Sequence, residues 1–111
     1  MTEECTPIER YRRAARRHGE ATEAGNDREA NDAHDQLVAA LEELNTNPRG
    51  LGALDALLDD QDTSVRCWAA AHLLPTGSER AIDALESLAN GTGIIAFDAK
   101  QVLKQWRRKR N

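Results

Sequence analysis

Gly52-Ala53-Leu54-Asp55-Ala56-Leu57 recurs 28 residues further on as Arg80-Ala81-Ile82-Asp83-Ala84-Leu85, with four positions identical and Leu54 answering to Ile82. The stretches that follow align at an offset of 29, which sets Val65 on Ile94, Trp68 on Phe97, Ala70 on Ala99 and Leu73-Leu74 on Val102-Leu103. A longer turn in the second copy absorbs the extra residue. A repeated two-helix unit of about this length is the mark of an α-solenoid, whose units bury their faces only against neighbours. Chance agreement between helices rich in alanine and leucine is the competing account.

Working outward, the composition supports helix throughout. Of 111 residues 18 are Ala and 12 are Leu, valine and isoleucine are few, and no segment sustains a strand alternation, so the class expected is all-α. The length suits one domain, read as residues 7–108 between a flexible tail at 1–6 and a basic tail at 109–111. Helix one begins at Thr6-Pro7-Ile8-Glu9, a capping box with proline at the first helical position, and ends at Gly25-Asn26. Its thin apolar stripe is Ile8, Tyr11, Ala15, His18 and Thr22. Helix two starts at Asn26 or Asp27 and carries Ala30, Ala33, Leu37, Leu41 and Leu44, making an antiparallel hairpin with helix one. Helix three opens at Pro48 with Leu51, Leu54, Leu57 and Leu58 inward and breaks at Asp59-Asp60-Gln61-Asp62. Asp62 caps helix four, Thr63 to Leu74, which Pro75 closes. Thr76-Gly77-Ser78-Glu79 spells a capping box for helix five, about Ser78 to Ala89, with Ala81, Ile82, Leu85 and Leu88 inward. Helix six follows Asn90-Gly91-Thr92-Gly93 and takes Ile94 to about Arg108, its terminal cations suiting the negative end of the helix dipole. Trp68, Phe97 and Trp106 read as core aromatics.

The charge layout limits the partners. The net charge of −4 hides a segregation: residues 26–62 hold ten acids against Arg28 and Arg49, whereas residues 63–111 hold eight bases against four acids. A concentrated acidic sector steers basic partners and repels nucleic acid. The carboxylates expected to meet a partner are Glu42, Glu43, Asp59, Asp60 and Asp62 near the turns, with Asp83 and Glu86 from the next repeat. Solvation of exposed helix faces and capping of helix starts is the plainer role for any one of them. Arg10, Arg12, Arg13, Arg16 and Arg17, and Lys104 with Arg107 to Arg110, interleave with Tyr11 and Trp106 as in single-strand binders. The isoelectric point near 5.3 and solvated pairs such as Arg16 with Glu20 argue against that reading.

No pattern for catalysis or metal binding emerges. His18, His34 and His72 share no ligand spacing with one another or with a cysteine, and Asp59, Asp60 and Asp62 lack the glycine and the twelfth-position acid of a calcium loop. Cys67 and His72, five residues apart, point about 140° apart on a helix. Gly91 and Gly93 lack the preceding strand of a phosphate loop. No enzyme activity, metal or cofactor is therefore expected. Cys5 and Cys67 are expected to be reduced thiols, and the absence of a signal-like or spanning segment implies a cytoplasmic protein.

Asp62-Thr63-Ser64-Val65-Arg66-Cys67-Trp68-Ala69-Ala70 resembles the second-helix consensus of HEAT-like repeats, an aspartate cap followed by Val-Arg and paired alanines. The resemblance implies that Arg66 pairs with an acid near the repeat turn, Asp62 or Asp59; in the second copy Ile95 takes the arginine's place. Residues 12–106 are similar to a small bacterial family of HEAT-like domains of unknown function, serial twenty-nineteen. The likeness rests on Ser64 to Pro75, Ala81 to Ala89 and Phe97 to Trp106. It implies an N-terminal hairpin plus two HEAT-like helical pairs, a short α-solenoid of about six helices. It also implies an immunity-type protein that binds and inhibits a basic toxin or effector domain. A scaffold or self-associating module is the alternative, and a nucleic-acid binder or a bilin-lyase-like enzyme stands further off.

Overall fold

The computed structural model describes residues 6–110, and among them every regular element is helical. The six α-helices are α1 (Pro7–Glu23), α2 (Asp27–Asn45), α3 (Gly50–Ala56), α4 (Thr63–Leu73), α5 (Glu79–Ala89) and α6 (Ile94–Arg110). Short 3-10 turns follow α3, at Leu57–Asp59, and α4, at Leu74–Thr76. Lys109 and Arg110 thus continue α6 where a basic tail was expected, while Met1–Cys5 and Asn111 lie outside the described residues. No helix among the described residues is long and apolar enough to cross a membrane. The chain divides into two compact units, Met1–Leu54 and Asp55–Asn111.

In the first unit α1 and α2 form the expected hairpin. The Thr6 hydroxyl accepts from the Glu9 N–H at 3.3 Å, the Glu9 carboxylate accepts from the Thr6 N–H at 3.2 Å, and both orphan groups at the start of α1 are satisfied. Gly25, with φ of +71°, supplies the left-handed residue of the turn, and the Asn26 side chain caps α2. Antiparallel packing is fixed by its cross-pairs: Arg10 meets Glu43, Arg17 meets Gln36, and His18 faces His34, so that one partner's number rises as the other's falls. The seam is made of small residues, Ala14, Ala15, Ala33 and Ala40, around buried Tyr11 and Leu37. Ala14, Gly19 and Ala21 are buried where the simple stripe favoured Ile8 and Thr22.

The second unit is built on α4, α5 and α6, with α5 packed on both neighbours and α4 resting against the 3-10 turn Leu57–Asp59. Asp62 caps α4 by accepting from the Ser64 and Val65 N–H groups at 2.8 and 3.2 Å. Ser78 caps α5; Thr76, offered as its capping box, instead donates its hydroxyl to the Leu73 carbonyl at 2.6 Å and closes the turn after α4. Val65, Ala69, Ala70, Leu85 and Ala99 are fully buried. The aromatic residues depart from their expected place in the core. Phe97 is 60% exposed, and Trp68 and Trp106 are only half-buried. Ile94 is also exposed, as is Leu51 in the first unit. Phe97 stands at Trp68's place in the repeat, and a repeat covers such a face only with a neighbouring helix.

Candidate functional site

The seven carboxylates singled out from sequence occupy different local environments. In the first unit, the Arg10 guanidinium grips Glu43 with two parallel hydrogen bonds, 2.6 and 2.9 Å long. This contact holds the Glu43 carboxyl below its ordinary range. Glu42, the next residue, is exposed and takes part in none of the ion pairs among the described residues.

In the second unit, Asp59 and Asp55 share Arg80. Its Nη2 donates to Asp59 at 2.9 Å and its Nη1 to Asp55, an arrangement that raises the guanidinium's already high pKa. Leu58, Asp59, Arg80 and Asp83 border an open hollow of about 300 Å3, in which the carboxylates outnumber the cation. Asp83 enters none of the ion pairs among the described residues. Glu86 lies one turn of α5 further on and pairs with Arg107 of α6 at 2.9 Å. It stands among cations, away from the acidic hollow.

Asp60 and Asp62 are engaged in building the loop before α4. The Asp60 carboxylate accepts from the Asp62 N–H at 2.9 Å, and Asp62 caps the helix. Arg66, expected to pair with Asp62 or Asp59, donates instead to the backbone carbonyl of Asp60 at 2.7 Å. Carbonyls left over by a tight loop are acceptors as good as a carboxylate for an arginine on the first turn of the following helix. Of the seven acids, then, Asp83 and Glu42 enter no ion pair among the described residues, Asp59 borders the same hollow as Asp83 while holding Arg80, and the rest hold the fold's own donors.

The other candidates settle as packing. Cys67 is buried, and desolvation, with the charge of Asp98 adding to it, pushes its thiol up to about 11. His72 lies against Trp68, ring centroids 5.5 Å apart. Tyr11, weighed above as a base-stacking aromatic, is fully buried. The hairpin brings His18 and His34 within 6.4 Å, a proximity that helical spacing within one element does not reveal. No group of three His, Cys, Asp or Glu side chains converges on a metal position among the described residues. Arg80 went unnoticed in the sequence because its role depends on which acids the turn after α3 places beside α5. A search of known protein families, curated proteins and solved structures finds no match to this chain.

Proposed function

We propose that this chain is a protein-binding helical module, an immunity-type inhibitor of the cytoplasm that covers a basic toxin or effector domain with exposed carboxylates. The reading is supported above all by the hollow where Asp59 and Asp83 stand with only Arg80 between them. An excess of negative charge on the rim of a recess attracts and orients a cationic side chain of a partner. Glu42 offers a second open carboxylate in the other unit. Two HEAT-like pairs would present such rims as the turns of a short solenoid, in keeping with the repeat from Gly52 to Leu57 and Arg80 to Leu85.

Capture from the native lysate, washed at low and then moderate salt, is expected to retain one stoichiometric basic protein that salt releases. Asp83→Lys and Glu42→Lys should then weaken that complex on the order of tenfold, close to 1.4 kcal/mol, and flatten its salt dependence while leaving the melting temperature nearly unchanged. Asp60 and Asp62 are unsuitable for this test because they hold the loop. Unchanged affinity in both variants would remove the acidic-surface mechanism. The exposure of Ile94 and Phe97 favours a second reading, a self-associating scaffold, under which the captured protein is the chain itself.

A further inference from the structure

An open groove of about 860 Å3 runs between the end of α5 and the outer face of α6, bordered by Glu86, Asn90, Lys100, Lys104, Arg107 and Arg108. Four cations and one carboxylate line it, and that carboxylate is already paired with Arg107. Lys100, Lys104 and Arg108 form an unbroken row at four-residue spacing, and like charges at that spacing destabilise a helix. None of the three enters an ion pair among the described residues, whereas Arg10, Arg16, Arg17 and Arg80 each have a carboxylate. Attraction to the negative end of α6 accounts for Arg107 and Arg108, but it fades within one turn and leaves Lys100 and Lys104 unexplained. Compensation of the carbonyl end of α5, at Ala89 and Asn90, is the competing account of those two lysines.

We infer that this groove is a binding site for a compact oligophosphate. Lysine supplies mobile point charges and arginine a planar fork that matches phosphate oxygens. Arg107, held by Glu86 through one N–H, keeps the rest of its donors for a second acceptor. The row of three cations spans about 12 Å along the helix, longer than one phosphate bridges and suited to several linked ones. The volume lies within the roughly 300–1,000 Å3 of small-ligand sites. Ala89 and Leu103 give an apolar floor, and no aromatic side chain borders the groove, so recognition rests on the phosphates and not on a stacked base. The shared chemistry admits a soluble oligophosphate or the phosphorylated headgroup of a lipid. This site is independent of the acidic hollow on Asp59 and Asp83.

Calorimetric titration of the full chain with inorganic tripolyphosphate should give saturable one-to-one binding at least tenfold tighter than orthophosphate. The Lys104→Gln/Arg108→Gln double variant, altered only at exposed positions, should lose tenfold or more of that affinity. Amide shifts of the unaltered chain on adding tripolyphosphate should cluster at residues 86–90 and 100–108, a readout that requires no variant. Sedimentation with phosphatidylcholine vesicles containing phosphatidylinositol bisphosphate, reversed by tripolyphosphate, would assign the phosphates to a lipid; binding of tripolyphosphate without sedimentation would assign a soluble ligand. Tripolyphosphate binding no tighter than orthophosphate, undiminished binding in the double variant, or a lower melting temperature of that variant with no binding by the unaltered chain would overturn the inference.

Discussion

Gly50 is buried at the start of α3, and a Cβ built on it would overlap the backbone carbonyl oxygen of Leu44. Its φ is not in the left-handed region, so what requires glycine here is the close approach of two backbones. Gly52, two residues on in the same helix, has open space where its Cβ would stand. The two positions should therefore respond in opposite ways to the same change. Gly50→Ala forces backbone to move against backbone and is expected to cost about 1–3 kcal/mol. Gly52→Ala removes freedom from the unfolded chain in an exposed helical position and should stabilise by about 0.5–1 kcal/mol. Urea unfolding of the two variants checks this, and equal effects would show that the approach to Leu44 does not constrain the fold. Neither role is legible in the sequence, where both glycines look alike. Whether a Cβ fits depends on the neighbouring turn Asn47-Pro48-Arg49, which no periodicity describes. The exposure of Phe97 has the same origin: an apolar residue on a repeat's face announces that the face wants cover, and only tertiary placement says whether cover is there.

Among the elements, the most legible features were helix starts, because a cap is a local bargain between one side chain and the next three N–H groups. Thr6 with Glu9 and Asp62 act as read, Asn26 caps α2 where the sequence left its start between Asn26 and Asp27, and the box spelled by Thr76 and Glu79 yields to Ser78. Thr76 is drawn into the 3-10 turn that ends α4, a competition between two neighbouring helix ends that motif spacing alone cannot decide. The third helix was the hardest to read. Its leucines keep a helical period, yet the chain tightens into a 3-10 turn at Leu57–Asp59 and leaves Leu51 exposed. Asp62 carries more than its neighbours because it satisfies two N–H groups at once. Asp62→Ala should lower stability by about 1 kcal/mol, within the 0.5–2 kcal/mol range of cap deletions, and Asp62→Asn should recover most of it. Denaturant midpoints with unchanged slopes would bear this out. A loss of the same size in Asp62→Asn would mean that charge, and not the hydrogen bonds of the cap, is what α4 requires.

Over the whole molecule, charge is unevenly divided: the first unit holds eleven acids against seven bases and the second eight of each. The sequence showed a different division, an acidic stretch at 26–62 before a basic one at 63–111, which the boundary at Leu54 cuts through; the pairing was not legible either, since Arg10 with Glu43 and Arg80 with Asp55 and Asp59 depend on helix packing. Three of the groups whose pKa shifts act on opposite sides of neutrality. Glu9, held chiefly by the Thr6 hydroxyl, and Glu43, held by Arg10, both ionise below their ordinary 4.5 in the folded chain. A folded pKa below the unfolded one stabilises the protein above the unfolded value, and that contribution disappears as pH falls through the folded value. Cys67 behaves oppositely: burial raises its thiol from 9.0 to about 11. Its contribution is present in full below 9.0 and is lost as pH rises toward 11. The contributions of these three groups are therefore all present between about 4.5 and 9.0, and they fall away on either side. The thiol's share on the alkaline side is on the order of 2–3 kcal/mol. Two substitutions separate the limbs. Glu43→Gln should shallow the acid limb and leave the alkaline one alone, and Cys67→Ala should shallow the alkaline limb and leave the acid one alone. Chemical denaturation at intervals from pH 3 to 11 measures both, and an alkaline slope unaltered in Cys67→Ala would show that the buried thiol is not the group whose ionisation unfolds the chain.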